Sequence, residues 1–158
     1  MSYVAELRES VGDRPVLLPG VALLAFDVEG RLLLQQRADD GSWSLVGGLL
    51  EIGEAPEDAI RREVAEEVGL ELGELELVDA VGGADYFHDY PQGRVYGVTV
   101  VYRTSGVRGQ PRPDPEESRA ARFFPLADLP DDLEGTTRRI LERQRLIPGS
   151  ERARATAR

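Results

Sequence analysis

The chain has 158 residues, 41% hydrophobic and 30% charged, which suits one compact domain with a sizeable core and is too short for two of ordinary size. Asp and Glu number 29 against 19 Lys and Arg, a formal charge of −10, so the body repels nucleic-acid duplexes and free phosphates at long range, and a phosphorylated ligand needs a cation or a local basic patch. With no cysteine and a single histidine, His88, disulfides, thiolate centres and imidazole-rich zinc sites are excluded, and oxygen ligands remain for any metal.

SYVAELRESVG predicts a short helix, with Ser2 as its cap, Tyr3, Leu7 and Val11 on one face and Gly12 at its end. GVALLAFDVEGRLLLQQR holds two apolar runs joined by DVEGR, the pattern of a tight hairpin, and the first run is apolar throughout as in a strand covered on both faces. SWSLVGG reads as a brief strand feeding a double-glycine loop. A helix follows, and then LELVDAVGG and VYGVTVVYR predict two strands around GADYFHDYPQGR, whose Gly, Asp and Pro punctuation predicts a surface loop. GVRGQPRPDPEES is a second loop, ARFFPLADLP a last strand, and TTRRILERQRL a closing helix capped by Thr136 or Thr137.

Strands and helices mix without regular βαβ alternation, which favours a mixed sheet flanked by helices. The expected organisation is one domain over residues 1–147 with a disordered basic tail over 148–158. No signal-peptide pattern and no apolar run near the roughly 18 residues of a membrane span are present, so a soluble cytoplasmic protein without membrane contact is expected. The first helix and an exposed strand edge are candidate surfaces for a homodimer.

The helix in GGLLEIGEAPEDAIRREVAEEVGL carries the chemistry. Glu54 stands at a capping position, Pro56 suits the first turn, Ile60, Val64 and Val68 form an apolar stripe, and Gly69 supplies the stop. Glu63, Glu66 and Glu67 share one face beside that stripe at i, i+3 and i, i+4 spacings. Like-charged neighbours cost a few tenths of a kcal/mol each, and negative charge in the last turn opposes the helix dipole by about 0.3 to 1 kcal/mol. A solvated acidic face is the plain reading. A divalent cation between the carboxylates is the alternative, and all-oxygen ligands point to Mg²⁺ or Mn²⁺. The second is favoured because the carboxylates adjoin the buried stripe and a double glycine precedes them.

Gly48, five residues, Glu54, seven residues, then Arg62-Glu63-Val64, one residue, Glu66-Glu67, one residue, Gly69-Leu70 resembles, at every fixed position, the signature box of the Nudix hydrolases. The resemblance implies an α/β/α sandwich around a mixed β-sheet and Mg²⁺- or Mn²⁺-dependent hydrolysis of a nucleoside diphosphate linked to another moiety. It further implies that Glu63 and Glu67 bind metal, that Glu66 binds metal or orients water, that the Gly47 carbonyl completes the coordination, and that Arg62 holds the carboxylates while Glu54 supports the loop. Gly48 and Gly69 are structural positions of the motif. Members often draw a further carboxylate from a late loop as ligand or base, and PDPEES offers Glu116 and Glu117, with Glu117 preferred for its spacing to Phe123. A catalytically idle nucleotide sensor is the other function open to such a domain; those modules commonly lose box glutamates, which this chain keeps.

Candidate substrate contacts are the aromatic segment with Tyr86 and Tyr90, a phosphate partner in Arg94, and Arg37 at the end of the second strand, placed to meet a phosphate or to pair with Asp39 or Asp40. Tyr86 stands sixteen residues after Leu70, similar to a tyrosine of some dinucleoside polyphosphate hydrolases, whereas the ADP-ribose branch tends to place proline where this chain has Asp85.

Overall fold

The computed structural model describes residues 3–149, so the Ser2 cap and most of the basic tail lie outside the described residues. Helix α1 spans Tyr3–Val11. Strand β1 (Val16–Ala25) lies in the middle of a four-stranded mixed sheet, antiparallel to β4 (Val46–Leu49) and parallel over ten residues to β7 (Gly93–Thr104), which pairs antiparallel with β6 (Glu76–Tyr90). A second sheet places β2 (Leu32–Arg37) between β3 (Trp43–Ser44) and β9 (Ser118–Phe124), and β5 (Glu71–Leu72) pairs with β8 (Val107–Arg108). Helices α2 (Pro56–Val68) and α3 (Gly135–Arg143) complete the fold, and no helix among the described residues is long and apolar enough to cross a membrane.

The uninterrupted apolar run of β1 has the expected consequence. Val21, Leu23 and Ala25 pack with Ala59, Ile60, Val64 and Val68 of α2, while Ala22, Leu24 and Phe26 pack with Ile140 and Leu141 of α3. Successive side chains point to opposite faces, so one strand serves both helical layers of an α/β/α arrangement. Full burial of Ile60, Val64 and Val68 contributes about 1.5 to 3 kcal/mol each, more than the few tenths lost to each like-charged pair on the same helix. Packing therefore outweighs the unfavourable charge pattern.

Four expectations are corrected. The DVEGR turn forms, with Asp27 N–H donating to the Arg31 carbonyl at 3.1 Å and a Phe26–Leu32 bridge, but the flanking runs do not stay paired as a hairpin. Each is buried on both faces and takes different partners, so β1 and β2 diverge into separate sheets. The double glycine belongs to strand β4, with Gly47 opposite Ala22 and Gly48 opposite Val21, and is no loop. GADYFHDYPQGR is the end of a long hairpin, because β7 offers a ladder and the extra residues between Gly82 and Phe87 are absorbed as a register shift around Gly83 at φ +121°. Lastly, Glu134 caps α3, its carboxylate accepting the Thr136 and Thr137 N–H groups at 2.8 Å each. The Thr137 hydroxyl is turned instead to the Leu45 N–H, 2.9 Å away, which ties α3 to the segment entering β4.

Candidate active site

Helix α2 starts at Pro56 with Ala55 as its N-cap, which offers no side-chain cap. Glu54 is thus released from the capping role its position suggested. Its carboxylate accepts the Glu51 N–H at 3.0 Å and takes two bonds from Arg62, Nε to Oε1 at 2.7 Å and Nη2 to Oε2 at 2.9 Å. Arg62 then reaches Glu63 at 2.8 Å, Glu66 at 3.2 Å and the Leu49 carbonyl at 3.2 Å. One planar guanidinium so serves three carboxylates and the end of β4, as its fixed fork of donors permits. The Arg62 bonds and the Glu51 N–H pull the Glu54 pKa down to about 2.

The glycines of β4 let that strand approach β1 on one side and helix α2 on the other. A β-carbon at Gly47 would lie 2.1 Å from the Val21 carbonyl oxygen, and one at Gly48 would lie 2.4 Å from the Glu63 carboxyl carbon. Gly69 ends the helix in the left-handed region at φ +65°, its N–H returned to the Ala65 and Val64 carbonyls. Beyond it, the loop before β9 donates Arg112 N–H to the Val68 carbonyl at 2.7 Å and Asp114 N–H to the Glu67 carbonyl at 2.9 Å. These bonds satisfy carbonyls that a helix end leaves orphaned and hold the segment with Glu116 and Glu117 over the last turn.

Glu67 is the innermost of the three box carboxylates. Gln35 Nε2 donates to its Oε2 at 2.8 Å and the Gly47 N–H to the same oxygen at 3.3 Å. Burial raises its pKa to about 8, helped by the charges of Glu63 and Glu117 and opposed by those two hydrogen bonds. Burial also raises Glu63, against the pull of Arg62. Glu66 keeps 61% of its side chain exposed at the cleft edge. Glu63, Glu66, Glu67, Glu116, Glu117 and Gly47 all line one cleft of about 780 Å³. Of the two late-loop candidates, Glu117 is the one whose charge is felt by both Glu63 and Glu67. A part-buried carboxylate that feels the charges of Glu63 and Glu117, in a cleft that other carboxylates also line, fits a hard divalent cation.

Arg37 lines the cleft but is paired with Asp39, Nε to Oδ1 at 2.9 Å and Nη2 to Oδ2 at 2.5 Å, with Asp40 at 3.7 Å. Of the aromatic residues, Tyr90 reaches the cleft and packs against His88, ring centres 4.3 Å apart and ring planes tilted by 49°. Tyr86 is half-buried against the α3 core and faces a small annex of about 120 Å³ that Tyr90 and His88 share with the cleft. Arg94 lines neither space: its guanidinium is bonded to Asp89 at 2.6 Å and 3.0 Å and lies 4.1 Å over the Phe87 ring. Among the described residues, Asp39, Asp40 and His88 bring ligand atoms within 4.8 Å of one another, but Arg37 and Ser42 already engage the two carboxylates. Two residues of the site had gone unremarked in the sequence, Gln35 and Ser118. The signal for Gln35 is a glutamine closing the apolar run LLL, and Ser118 carries none.

A NUDIX domain model matches residues 16–144. The chain is 40% identical over 75 residues to a MutT-like protein of Streptomyces ambofaciens, covering 48% of each. It is 27% identical over 119 residues to the NAD-capped RNA hydrolase NudC of Vibrio atlanticus, covering 74% of this chain and 40% of that one. The matched region thus spans less than half the length of these curated relatives. A MutT NUDIX hydrolase from Burkholderia pseudomallei has the same fold at TM-score 0.69 and 33% identity, over 82% of this chain and 98% of that one. The NUDIX domain of Shewanella oneidensis NrtR shares the fold at TM-score 0.65 and 23% identity, over 93% and 100% of the two chains. With Gly48, Glu63, Glu66 and Glu67 of the signature box on one cleft and a domain model spanning most of the chain's length, the chain belongs to the Nudix hydrolase family.

Proposed function

We propose that this protein hydrolyses a diphosphate linkage in a small nucleotide-derived substrate, a nucleoside diphosphate joined to another moiety, with Mg²⁺ or Mn²⁺ as cofactor. The observation that carries this reading is the convergence of Glu63, Glu66, Glu67 and Glu117 on one cleft, with Glu67 part-buried and its proton affinity raised. Among the described residues, no arginine or lysine is free there to meet a diphosphate, since Arg62 is committed to Glu54 and Glu63 and Arg37 to Asp39. A bound cation would supply that charge and stabilise the phosphate that leaves.

The protein's own part is to hold and orient. Glu63 and Glu67 are assigned as direct ligands with the Gly47 carbonyl, Glu66 as ligand or water-orienting group, and Glu117 as a further ligand or general base. Arg62 bridges Glu63 and Glu66, and Glu54 fixes Arg62. Arg37, Tyr90 and Tyr86 border the space left for the rest of the substrate. Arg94, at the hairpin flank, would have to leave Asp89 to take part. Relatives are named as an NAD-capped RNA hydrolase and as RNA pyrophosphohydrolases.

Incubation with nucleoside triphosphates, dinucleoside polyphosphates, nucleotide sugars, ADP-ribose and 5′-triphosphorylated RNA, each with Mg²⁺, Mn²⁺ or EDTA, tests the proposal by product analysis. Metal-dependent release of two phosphorylated products from at least one substrate is expected, with Glu67→Gln lowering turnover at least about 10²-fold. Ligand-dependent stabilisation with no product from any substrate would instead support a sensor.

A further inference from the structure

Gln35 is 5% exposed and Ser118 1%, and each end of the Gln35 amide has a partner: the Ser118 hydroxyl donates to Gln35 Oε1, and Gln35 Nε2 donates to Glu67 Oε2 at 2.8 Å. An amide buried in an apolar layer is costly unless both its ends are paired, so its retention between Leu34 and the cleft calls for a reason. The pairing is built by the backbone. Strands β2 and β9 place Gln36 opposite Ala120 and Arg37 opposite Ser118, making Arg119 the extra residue of a bulge. In unbroken register Arg119 would face Arg37 and Ser118 would project from the opposite side of the sheet. The bulge brings Ser118 onto the face of Gln35.

We propose that Gln35 and Ser118 are positioning residues for Glu67. The serine hydroxyl fixes which end of the amide faces the carboxylate. Gln35 Nε2 and the Gly47 N–H then hold Oε2, and among the described residues no donor reaches Oε1, which is the oxygen presented to the cation. The same pair keys the late loop to the box helix, because Ser118 follows Glu117 directly and Asp114 N–H is already bonded to the Glu67 carbonyl. Glu67 and Glu117 are thereby set in register from two sides. The inference rests on the reading of Glu67 as a metal ligand.

Mn²⁺ binding to the full chain, followed by electron paramagnetic resonance without substrate, separates positioning from packing when read beside the metal-free melting temperature. Gln35→Leu is expected to weaken Mn²⁺ about 10- to 100-fold, and Ser118→Ala by about 5- to 10-fold, because an amide without the serine is no longer held with its N–H on Oε2. Both should keep the circular dichroism of the parent. Folded variants that bind Mn²⁺ within about twofold of the parent, while Glu67→Ala binds it weakly, would overturn the positioning role and leave the ligand assignment standing. Unchanged affinity in Glu67→Ala would remove the ligand assignment and the inference with it. Unfolding of both Gln35→Leu and Ser118→Ala would mark the pair as structural and overturn the proposal.

Discussion

Arg62 has the most to lose from a like-charged substitution. Its fork spans Glu54, Glu63 and the Leu49 carbonyl at once, and an ammonium cannot point at three directions from one plane. Arg62→Lys is therefore expected to destabilise by on the order of 1 to 2 kcal/mol, discounted for the partial exposure of the site, which is a fall in Tm of about 2 to 8 °C. Calorimetry checks it, and an unchanged Tm would mean the fork contributes nothing beyond its charge. Gly48 poses the opposite problem, one of space. A methyl group there meets the Glu63 carboxylate rather than the backbone, so Gly48→Ala should leave the fold in place and displace Glu63. The expected result is turnover lowered about 10²-fold at near-parental Tm, since displacements of about 1 Å cost that much in a positioned site. Steady-state kinetics beside a melting curve separates the two effects.

At the scale of elements, α3 is held at its start by a carboxylate and holds β4 in turn. Glu134→Ala removes the acceptor for two N–H groups and should cost about 1 kcal/mol, or roughly 2 to 4 °C in Tm, with kcat changed less than KM because Thr136 and Thr137 border the cleft rather than the carboxylates. That cap also shows where sequence reading stops. Helix α2 could be read from its period, its proline and its terminal glycine because each is a local signal, and the box carboxylates followed from their spacing on it. The capping glutamate could not be told from the threonines beside it, because which of them faces the orphan N–H groups depends on how the chain enters the helix. Strand partners were equally hidden. DVEGR carries a hairpin signal and makes the turn, yet β1 leaves β2 for β4 and β7, a choice decided by burial on both faces far from the turn. Gln35 and Ser118 meet only through a bulge, which no periodicity announces.

For the molecule as a whole, carboxylates with opposite shifts decide how stability runs with pH. Glu54 titrates at about 2 in the folded protein against 4.5 ordinarily, so its contribution is present above pH 4.5 and is lost as pH falls toward 2. Asp27, Asp39, Asp40, Asp79 and Asp89 are lowered too and act in the same sense. Glu67 works the other way. Its folded value near 8 means that the native state keeps a proton which the unfolded chain gives up above 4.5, so its contribution is full below 4.5 and is lost as pH rises through 8, with Glu63 shifted in the same direction. In EDTA, Tm is expected to climb from pH 2 to about 4.5 and then to decline toward pH 8. General self-repulsion in a chain of charge −10 also grows over that range, and Glu67→Gln tells the two apart, because it removes one buried titration and leaves nearly all of the surface charge. The variant should flatten the descending limb. On the proposed function, Mg²⁺ or Mn²⁺ would bind the ionised carboxylates, so it should raise Tm most at pH 8 and least at pH 5, adding about 2.7 kcal/mol at a hundred times Kd. Thermal melts between pH 2 and 9, with and without metal, measure both limbs. A decline that persists unchanged in Glu67→Gln would take the buried carboxylate out of the account, and a metal effect equal at pH 5 and pH 8 would mean that the cation binds somewhere other than on a group that must first lose its proton.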